Sequence, residues 1–186
     1  MLDNSSPTYW EKLARRFVRG REAQSFPRPK TIPDPMVSVI LNVRYGVEKD
    51  RLDQVKQEHA LSMVAENAVG ELLERYISDA MGGTGWVWVS GSLIKAIDFI
   101  RRKGGGFEEL QIKNRDNSEN SSSSAIRKGT TIKKWCRTKS KTGETMWDYF
   151  PVDADFDGDL SEEGFQRWVA DYLSKLPATT NRPPRS

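Results

Sequence analysis

The sequence has little of what several large classes of protein need. Its 186 residues contain one cysteine, Cys136, and one histidine, His59, which excludes an internal disulfide and a Cys/His zinc centre. No apolar run approaches the roughly 20 residues that a membrane helix needs. The N-terminal residues also lack the pattern of a signal peptide. We therefore expect a cytoplasmic protein that does not engage a membrane.

The charges of the chain are nearly balanced in number but uneven in position. The net charge is +3, with 37% hydrophobic and 30% charged residues, and this length is typical of a single globular domain. Between Lys113 and Lys141, nine Lys and Arg residues stand against two acids, whereas eight acids stand against two basic residues between Asp148 and Lys175. The basic segment indicates either contact with a polyanion such as nucleic acid or a solvated basic face.

Hydrophobic spacing predicts three helices. They cover residues 7–21, about 49–81 and 161–176, the last with Ser161 as its N-cap. The segment 36–45 is ambiguous between a strand and a short buried helix. These helices bracket a middle region with strand-like periodicity.

The middle of the chain predicts three strands, at 86–91, 95–102 and 107–114. The glycines within 103–106 predict a hairpin between the last two. Apolar residues on both faces of 86–91 predict a buried central strand, and 125–138 reads as a short helix or an irregular segment. The fold class is therefore α/β, with a mixed central β-sheet flanked by helices.

Two of these strands bring polar side chains to one face. Alternation places Gln111 and Lys113 opposite Leu110, and hairpin pairing places Asp98 beside them. The Asp98 carboxylate, the Gln111 amide oxygen and the Ile112 carbonyl are hard oxygen ligands that suit Mg²⁺. Lys113 can orient a water molecule and offset developing negative charge. An acid followed by Gln-x-Lys is a weak signal alone, and the strand context strengthens it.

The order of helix, strand, Asp98 strand and Gln111-x-Lys113 strand resembles the PD-(D/E)xK nuclease superfamily, in the variant where Gln replaces the acid. More narrowly, LQIKNRDNSENSSSSAIRKGTTIKKWCRT resembles type II restriction endonucleases of the SinI/AvaII kind. The likeness is densest from about Gly91 to Phe150. Ile97 departs from the pattern, since the superfamily commonly has Pro before this Asp.

The resemblance implies a restriction-endonuclease-like fold and Mg²⁺-dependent hydrolysis of double-stranded DNA at a short palindromic site. The implied target is GG(A/T)CC, cut to leave a 5′-phosphate and a 3′-OH. A homodimer is expected because a palindrome matches two-fold symmetry, and a cognate methyltransferase would act on the same site in the host. We expect one nuclease domain over 1–186, with a helix and Pro-rich connector at 1–35, a catalytic core at 36–176 and a disordered tail at 177–186.

Because Gln111 carries no charge, a further acid would support the metal. The long helix offers Glu66 as the first candidate and Glu71 as the second, although either could be a solvent-facing charge.

The polar run after Lys113 is predicted to contact DNA. Asn, Arg and Ser side chains can reach base edges or phosphates, and Lys and Arg can hold the backbone. A flexible polar loop is the alternative for any single position. The predicted DNA-binding residues are Asn114, Arg115, Asp116, Asn117, Ser118, Asn120, Ser121, Ser122, Arg127, Lys128, Lys133 and Lys134.

Two other readings compete. One is another nuclease of the same superfamily, for repair or junction resolution. The other is a module that binds nucleic acid or Ca²⁺ without catalysis, because Asp153, Asp155 and Asp157 begin an EF-hand-like pattern. The twelfth position of that pattern is Gly164, where a bidentate Glu is needed, and this weakens the calcium interpretation.

Overall fold

The protein combines five helices with a small sheet in the part of the chain that the structure, a computed structural model, describes: residues 7–23, 26, 32–90, 93–117 and 121–177. The helices are α1 (Pro7–Arg19), α2 (Pro35–Tyr45), α3 (Leu52–Ala80), α4 (Ser121–Arg127) and α5 (Glu162–Ser174). The strands are β1 (Val87–Trp88), β2 (Phe99–Lys103), β3 (Gly106–Arg115) and β4 (Lys133–Thr138). Short 3-10 turns cover Lys49–Arg51 and Trp147–Tyr149. None of the described helices has the length and apolarity to span a membrane.

The four strands form one mixed sheet in the order β1-β2-β3-β4. β2 and β3 are the predicted antiparallel hairpin, in which Phe99 faces Leu110 and Lys103 faces Gly106. Gly104 and Gly105 take positive φ angles of 57° and 82°, which glycine adopts without steric cost, and this allows the tight turn. β4 pairs in parallel with β3, from Leu110 beside Lys133 to Arg115 beside Thr138.

The apolar face of the sheet packs into an aromatic core. Leu110 and Ile112 of β3 and Phe99 of β2 are buried. Trp135 of β4 packs against Trp147, with ring centroids 5.0 Å apart and the ring planes inclined at 49°. Further aromatic contacts extend this cluster to α3 and α5 through Tyr76, Phe150, Phe165 and Trp168. Burial of this many large side chains is the main stabilising term of the fold.

The chain divides into two compact units. One comprises Met1–Ala23 with Gly70–Leu176, and the other comprises Gln24–Val69 with Pro177–Ser186. The first holds the sheet and the aromatic core. The proposed boundaries of a single domain over 1–186, with its connector and tail, stay a prediction.

The second unit contains α2, which begins and ends at clear capping residues. Asp34 accepts a hydrogen bond from the Met36 backbone at 2.8 Å, and Gly46 ends the helix with φ of 68°. Its apolar side chains are largely exposed, with Val43 at 79% and Tyr45 at 72%. Residues 36–45 therefore form a helix, but the expected burial is wrong.

The other helices follow the sequence closely. The hairpin is confirmed, although β2 begins at Phe99 rather than at residue 95, and two further assignments need correction. Ser161 caps α5 through the Gly164 amide at 3.0 Å, as predicted. β1 is a two-residue strand at the sheet edge rather than a buried central strand, because only β2 flanks it, and Val87 is 45% exposed. β4 was not expected: the segment 125–138 divides into the end of α4 and a parallel strand.

Candidate active site

The polar face of the β2–β3 hairpin carries the predicted acid, amide and lysine. Asp98 directly precedes β2, and its Oδ2 accepts a hydrogen bond from the Ile112 backbone amide at 2.7 Å. The Asp98 amide donates to the Leu110 carbonyl at 2.9 Å, so the residue is fixed to β3 by both main chain and side chain. Gln111 and Lys113 alternate with Leu110 and Ile112 and lie on the other face of the strand. The hairpin thus brings Asp98 close to the part of β3 that carries Gln111 and Lys113.

A second carboxylate, which the sequence reasoning missed, joins this cluster from α3. Glu74 accepts a hydrogen bond from the Trp88 indole at 2.9 Å and interacts electrostatically with both Asp98 and Lys113. It lies in LLERYI, the part of α3 where Leu73 and Arg75 on either side of it are buried. The sequence held no signal that separates Glu74 from the other acids of α3, because helix periodicity does not tell which of them faces the sheet.

The surroundings of Glu74 and Asp98 disfavour the ionised form of both carboxyl groups, so the pKa of each is raised. Desolvation is the largest cause and raises the pKa of Glu74 to about 8, with the nearby Asp98 carboxylate as the second cause. The hydrogen bond from Trp88 and the Lys113 ammonium act in the opposite direction. Desolvation also raises the pKa of Asp98, against the Ile112 amide and Lys113. Two acids that repel each other in a dehydrated site are the arrangement that a cation would relieve.

Gln111 supplies a third oxygen. The side chain is 2% exposed, and its Oε1 is buried without a hydrogen-bond partner. A buried, unpaired amide oxygen is costly, and it is a good ligand for a hard cation. Within the described ranges, no three His, Cys, Asp or Glu side chains gather as a metal cluster. The donor set of Asp98, Glu74 and Gln111 fits Mg²⁺ chemically.

The other predicted catalytic residues lie in different surroundings. Glu66 is exposed on α3 and belongs to the second unit. Glu71 forms an ion pair with Arg75, with 2.7 Å between Oε1 and Nη2. Ile112 is buried, and its backbone amide is the group that holds Asp98. The role of Glu66 and the Ile112 carbonyl as a ligand stay predictions.

Two of the predicted DNA-binding residues join the ends of β3 and β4. The Asn114 Oδ1 accepts a hydrogen bond from Arg137 Nε at 3.0 Å, and the Asp116 Oδ1 accepts one from the Ser140 backbone amide at 2.9 Å. The Ser140 hydrogen bonds lower the pKa of Asp116. These contacts fix the turn after β4 to the strand that carries Lys113.

The remaining predicted DNA-binding residues are spread over a wide segment. Arg115 and Asn117 are exposed at the end of β3, Lys128 is exposed after α4, and Arg127 and Lys134 are half-buried. Lys133 lies at the start of β4 and pairs with Glu108 at 3.1 Å, beside the hairpin end of β3. Ser121 and Ser122 begin α4, and their side chains, like Ser118 and Asn120, lie outside the described part.

The calcium-loop pattern forms a different structure. Asp153 accepts hydrogen bonds from Arg101, whose guanidinium is buried, and from Lys103 at 3.3 Å. Arg101 and Lys103 lower the pKa of Asp153 to about 2. Asp159 pairs with Arg167 at 2.7 Å. Two carboxylates of the acidic segment, Asp153 and Asp159, are thus engaged in ion pairs with β2 and α5.

Comparison with known proteins identifies the family of the chain. The profile of the SinI restriction endonuclease family matches residues 8–175. The chain is 48% identical over 168 residues to the type II restriction enzyme Eco47I of Escherichia coli, and 46% identical over 168 residues to the type II restriction enzyme SinI of Salmonella infantis. Each alignment covers 89% of this chain and 73% of the relative.

Proposed function

Because the chain belongs to the SinI restriction endonuclease family, and so is a site-specific deoxyribonuclease, we propose that it hydrolyses double-stranded DNA with Mg²⁺ held by Asp98, Glu74 and Gln111. The observation that carries this proposal is the unpaired Gln111 Oε1 in a site with two mutually repelling carboxylates. Glu74 takes the supporting role for which Glu66 was the first candidate.

The site divides the work among its residues. When bound, Mg²⁺ would neutralise charge on the phosphodiester and lower the pKa of a nearby water. Asp98 is held by the Ile112 amide through Oδ2, which leaves Oδ1 for a ligand. Lys113 is close enough to both acids to lower their pKa values. In the reaction, its ammonium orients the attacking water and offsets charge on the phosphoryl oxygens.

The recognition site and its cleavage products extend the same proposal. The resemblance to the SinI/AvaII kind supports GG(A/T)CC as the target, with 5′-phosphate and 3′-OH ends. A palindrome has two equivalent scissile bonds, so a homodimer with one active site per subunit suits it. A cognate methyltransferase would protect the same site in the host.

Digestion of unmethylated plasmid with Mg²⁺ tests the enzyme and its cofactor together. We expect discrete fragments with Mg²⁺, and intact plasmid with EDTA or with the Lys113→Ala variant. Lys175→Ala is the matched control, because Lys175 pairs with Asp171 at the end of α5, and this variant should cut normally. Sequencing the fragment ends then tests the site and the end chemistry.

The same assay separates the alternatives. Fragments with scattered ends would favour a repair or junction nuclease over a restriction enzyme. Cleavage that persists in EDTA would refute the metal site. Salt-sensitive DNA binding without cleavage at any divalent metal concentration would refute catalysis and favour a binding module.

A further inference from the structure

A single indole holds the Glu74 carboxylate. Trp88 is 5% exposed, and its Nε1 donates to Glu74 Oε2 at 2.9 Å. The side chain of Glu has three rotatable bonds, and the repulsion by Asp98 would favour rotamers that turn it away. The indole bond fixes Oε2 and leaves Oε1 for another partner.

Trp88 is in turn fixed by the end of α1. The Trp88 carbonyl accepts a short hydrogen bond from Arg21 Nη2, and Arg21 Nη1 donates to Ser90 Oγ at 2.6 Å. The Arg21 guanidinium lies 3.5 Å from the centroid of the Phe17 ring and 5.3 Å from that of Trp88. Arg21, two residues after the end of α1, therefore constrains both the main chain of Trp88 and one face of its indole ring.

The end of α1 is itself held to α3. Arg75, which is buried, donates to the carbonyls of Gly20, Arg21 and Glu22 at 3.2, 3.0 and 2.7 Å. Its guanidinium also lies 5.1 Å from the Trp88 ring centroid. The contacts thus run from Arg75 on α3, through Arg21 and Trp88, to Glu74, which is the residue next to Arg75 on α3.

We propose that Trp88 is a positioning residue of the nuclease site, which orients the Glu74 carboxylate for metal binding, and that Arg21 anchors Trp88. The inference rests on the proposed function, because it requires Glu74 to be a metal ligand. Groups that hydrogen-bond to a metal ligand fix its orientation, and their loss typically weakens metal affinity or activity by 10- to 100-fold, in order of magnitude.

Trp88→Phe removes the indole N–H and keeps an aromatic ring of similar shape. Two variants of the same type serve as controls. Trp168→Phe removes a comparable indole hydrogen bond, 2.9 Å long, to Asp79, which lies on α3 like Glu74. Trp86→Phe alters an indole two residues before Trp88, whose ring contacts the Arg101 guanidinium. Each protein is titrated with Mn²⁺, with binding measured by electron paramagnetic resonance and cleavage measured over the same concentrations.

We expect Trp88→Phe to weaken Mn²⁺ binding about tenfold and to raise the half-saturating concentration for cleavage equally, with kcat at saturating metal nearly unchanged. Both controls should remain within about twofold of the wild-type protein. Unchanged Mn²⁺ affinity in Trp88→Phe, whatever happens to its Tm, would overturn the inference. If the wild-type protein binds no Mn²⁺, or if the Asp98→Ala variant binds Mn²⁺ as tightly as the wild-type protein, the proposed function itself fails.

A double-mutant cycle checks that Trp88 acts through Glu74. In a Glu74→Ala background, Trp88→Phe should have no further effect on Mn²⁺ affinity, and a full additional loss would contradict the proposal. If Trp88→Phe does not fold, Arg21→Ala takes its place, with an expected loss of about threefold to tenfold in Mn²⁺ affinity. Unchanged affinity in that variant would equally refute the anchoring role.

Discussion

At the scale of single residues, Gln111 combines two properties that rarely occur together. It is almost completely buried, and its amide oxygen has no partner. Such a group lowers the stability of the protein without a ligand, since no hydrogen bond offsets the desolvation of the oxygen. Residues that sacrifice stability in this way are typical of functional sites.

Gln111→Glu is expected to destabilise the metal-free protein and to increase its response to Mg²⁺. The new carboxylate would be buried near Asp98 and Glu74, and like charges in a dehydrated site repel each other. In EDTA we expect Tm to fall by several degrees, more at pH 8 than at pH 5, because the acids are more fully ionised at pH 8. Addition of Mg²⁺ should raise the Tm of Gln111→Glu by more than it raises the Tm of the wild-type protein.

Differential scanning fluorimetry at the two pH values measures this effect. Gln57→Glu, at an exposed position of α3, is the matched control and should change Tm little. A Gln111→Glu variant with wild-type Tm in EDTA would show that no acids surround this position.

Glu74 predicts a pH dependence of stability. Its pKa is raised from an ordinary value of 4.5 to about 8, so the folded chain keeps a proton that the unfolded chain releases near pH 4.5. The folded state therefore loses stability as pH rises from 4.5 to 8. Gln cannot titrate, and Glu74→Gln should avoid this loss.

In EDTA at pH 8, we expect Glu74→Gln to be more stable than the wild-type protein by at least about 1 kcal/mol, or roughly 2–4 °C in Tm. The advantage should disappear near pH 4.5. Urea denaturation across this pH range measures the difference. An advantage that is equal at both pH values would mean that ionisation of Glu74 is not its cause.

At the scale of secondary-structure elements, the turn after β4 depends on the end of β3. Asp116 Oδ1 holds the Ser140 amide, the Asp116 amide donates to Thr138 at 3.1 Å, and Thr138 Oγ1 donates to the Asn114 carbonyl at 3.1 Å. Arg137 links the same region to Glu162 of α5 at 2.5 Å. The end of β3 and the turn after β4 are thereby one structural element.

Asp116→Ala should release this turn. Without the carboxylate, the Ser140 amide loses its acceptor, and we expect its hydrogen exchange to accelerate about tenfold or more, as local opening becomes easier. Asp116→Asn keeps an oxygen acceptor and should stay close to the wild-type rate. Equal exchange in the two variants would show that the carboxylate does not hold the turn.

The accuracy of the sequence reading differs between these elements for physical reasons. The β2–β3 hairpin was predictable because alternation and a glycine turn are local signals. β4 was missed because KKWCRT has few apolar residues, and it becomes a strand only through parallel pairing with β3, which is a long-range contact. α2 was ambiguous for a different reason, since a short apolar run fits either a strand or a helix.

The site was predictable to a similar extent. Asp98, Gln111 and Lys113 lie on local strand patterns that indicate a shared face. Glu74 comes from a helix about 24 residues before Asp98 in the chain, and helix periodicity alone cannot tell which of several acids faces the sheet. The sequence also did not show that the polar and basic segment has two kinds of residue. Asn114 and Asp116 make hydrogen bonds that fix the turn after β4, whereas Arg115, Asn117 and Lys128 are exposed.

At the scale of the whole molecule, the exposed basic residues predict how DNA affinity depends on salt. Lys128 is exposed after α4, and a residue of this kind contributes through phosphate charge rather than base identity. Lys128→Ala should weaken binding uniformly across sequences and reduce the slope of log affinity against log salt by about 1. Lys175→Ala, remote in the chain and already paired, is the control.

Fluorescence anisotropy with a GG(A/T)CC duplex and a scrambled duplex, between 50 and 200 mM salt as a rough working range, measures both slopes. A loss confined to the GG(A/T)CC duplex would reassign Lys128 to base recognition. An unchanged slope would place it away from the DNA.

The two outer strands bear on the colloidal behaviour of the protein. β1 offers only Val87–Trp88 for pairing, and β4 carries Lys133, Lys134 and Arg137 among its six residues. Short and positively charged strands are poor templates for the addition of another strand. Pairing of a second copy's strand with either edge of the sheet is therefore disfavoured, and concentrated solutions should resist amyloid-type association.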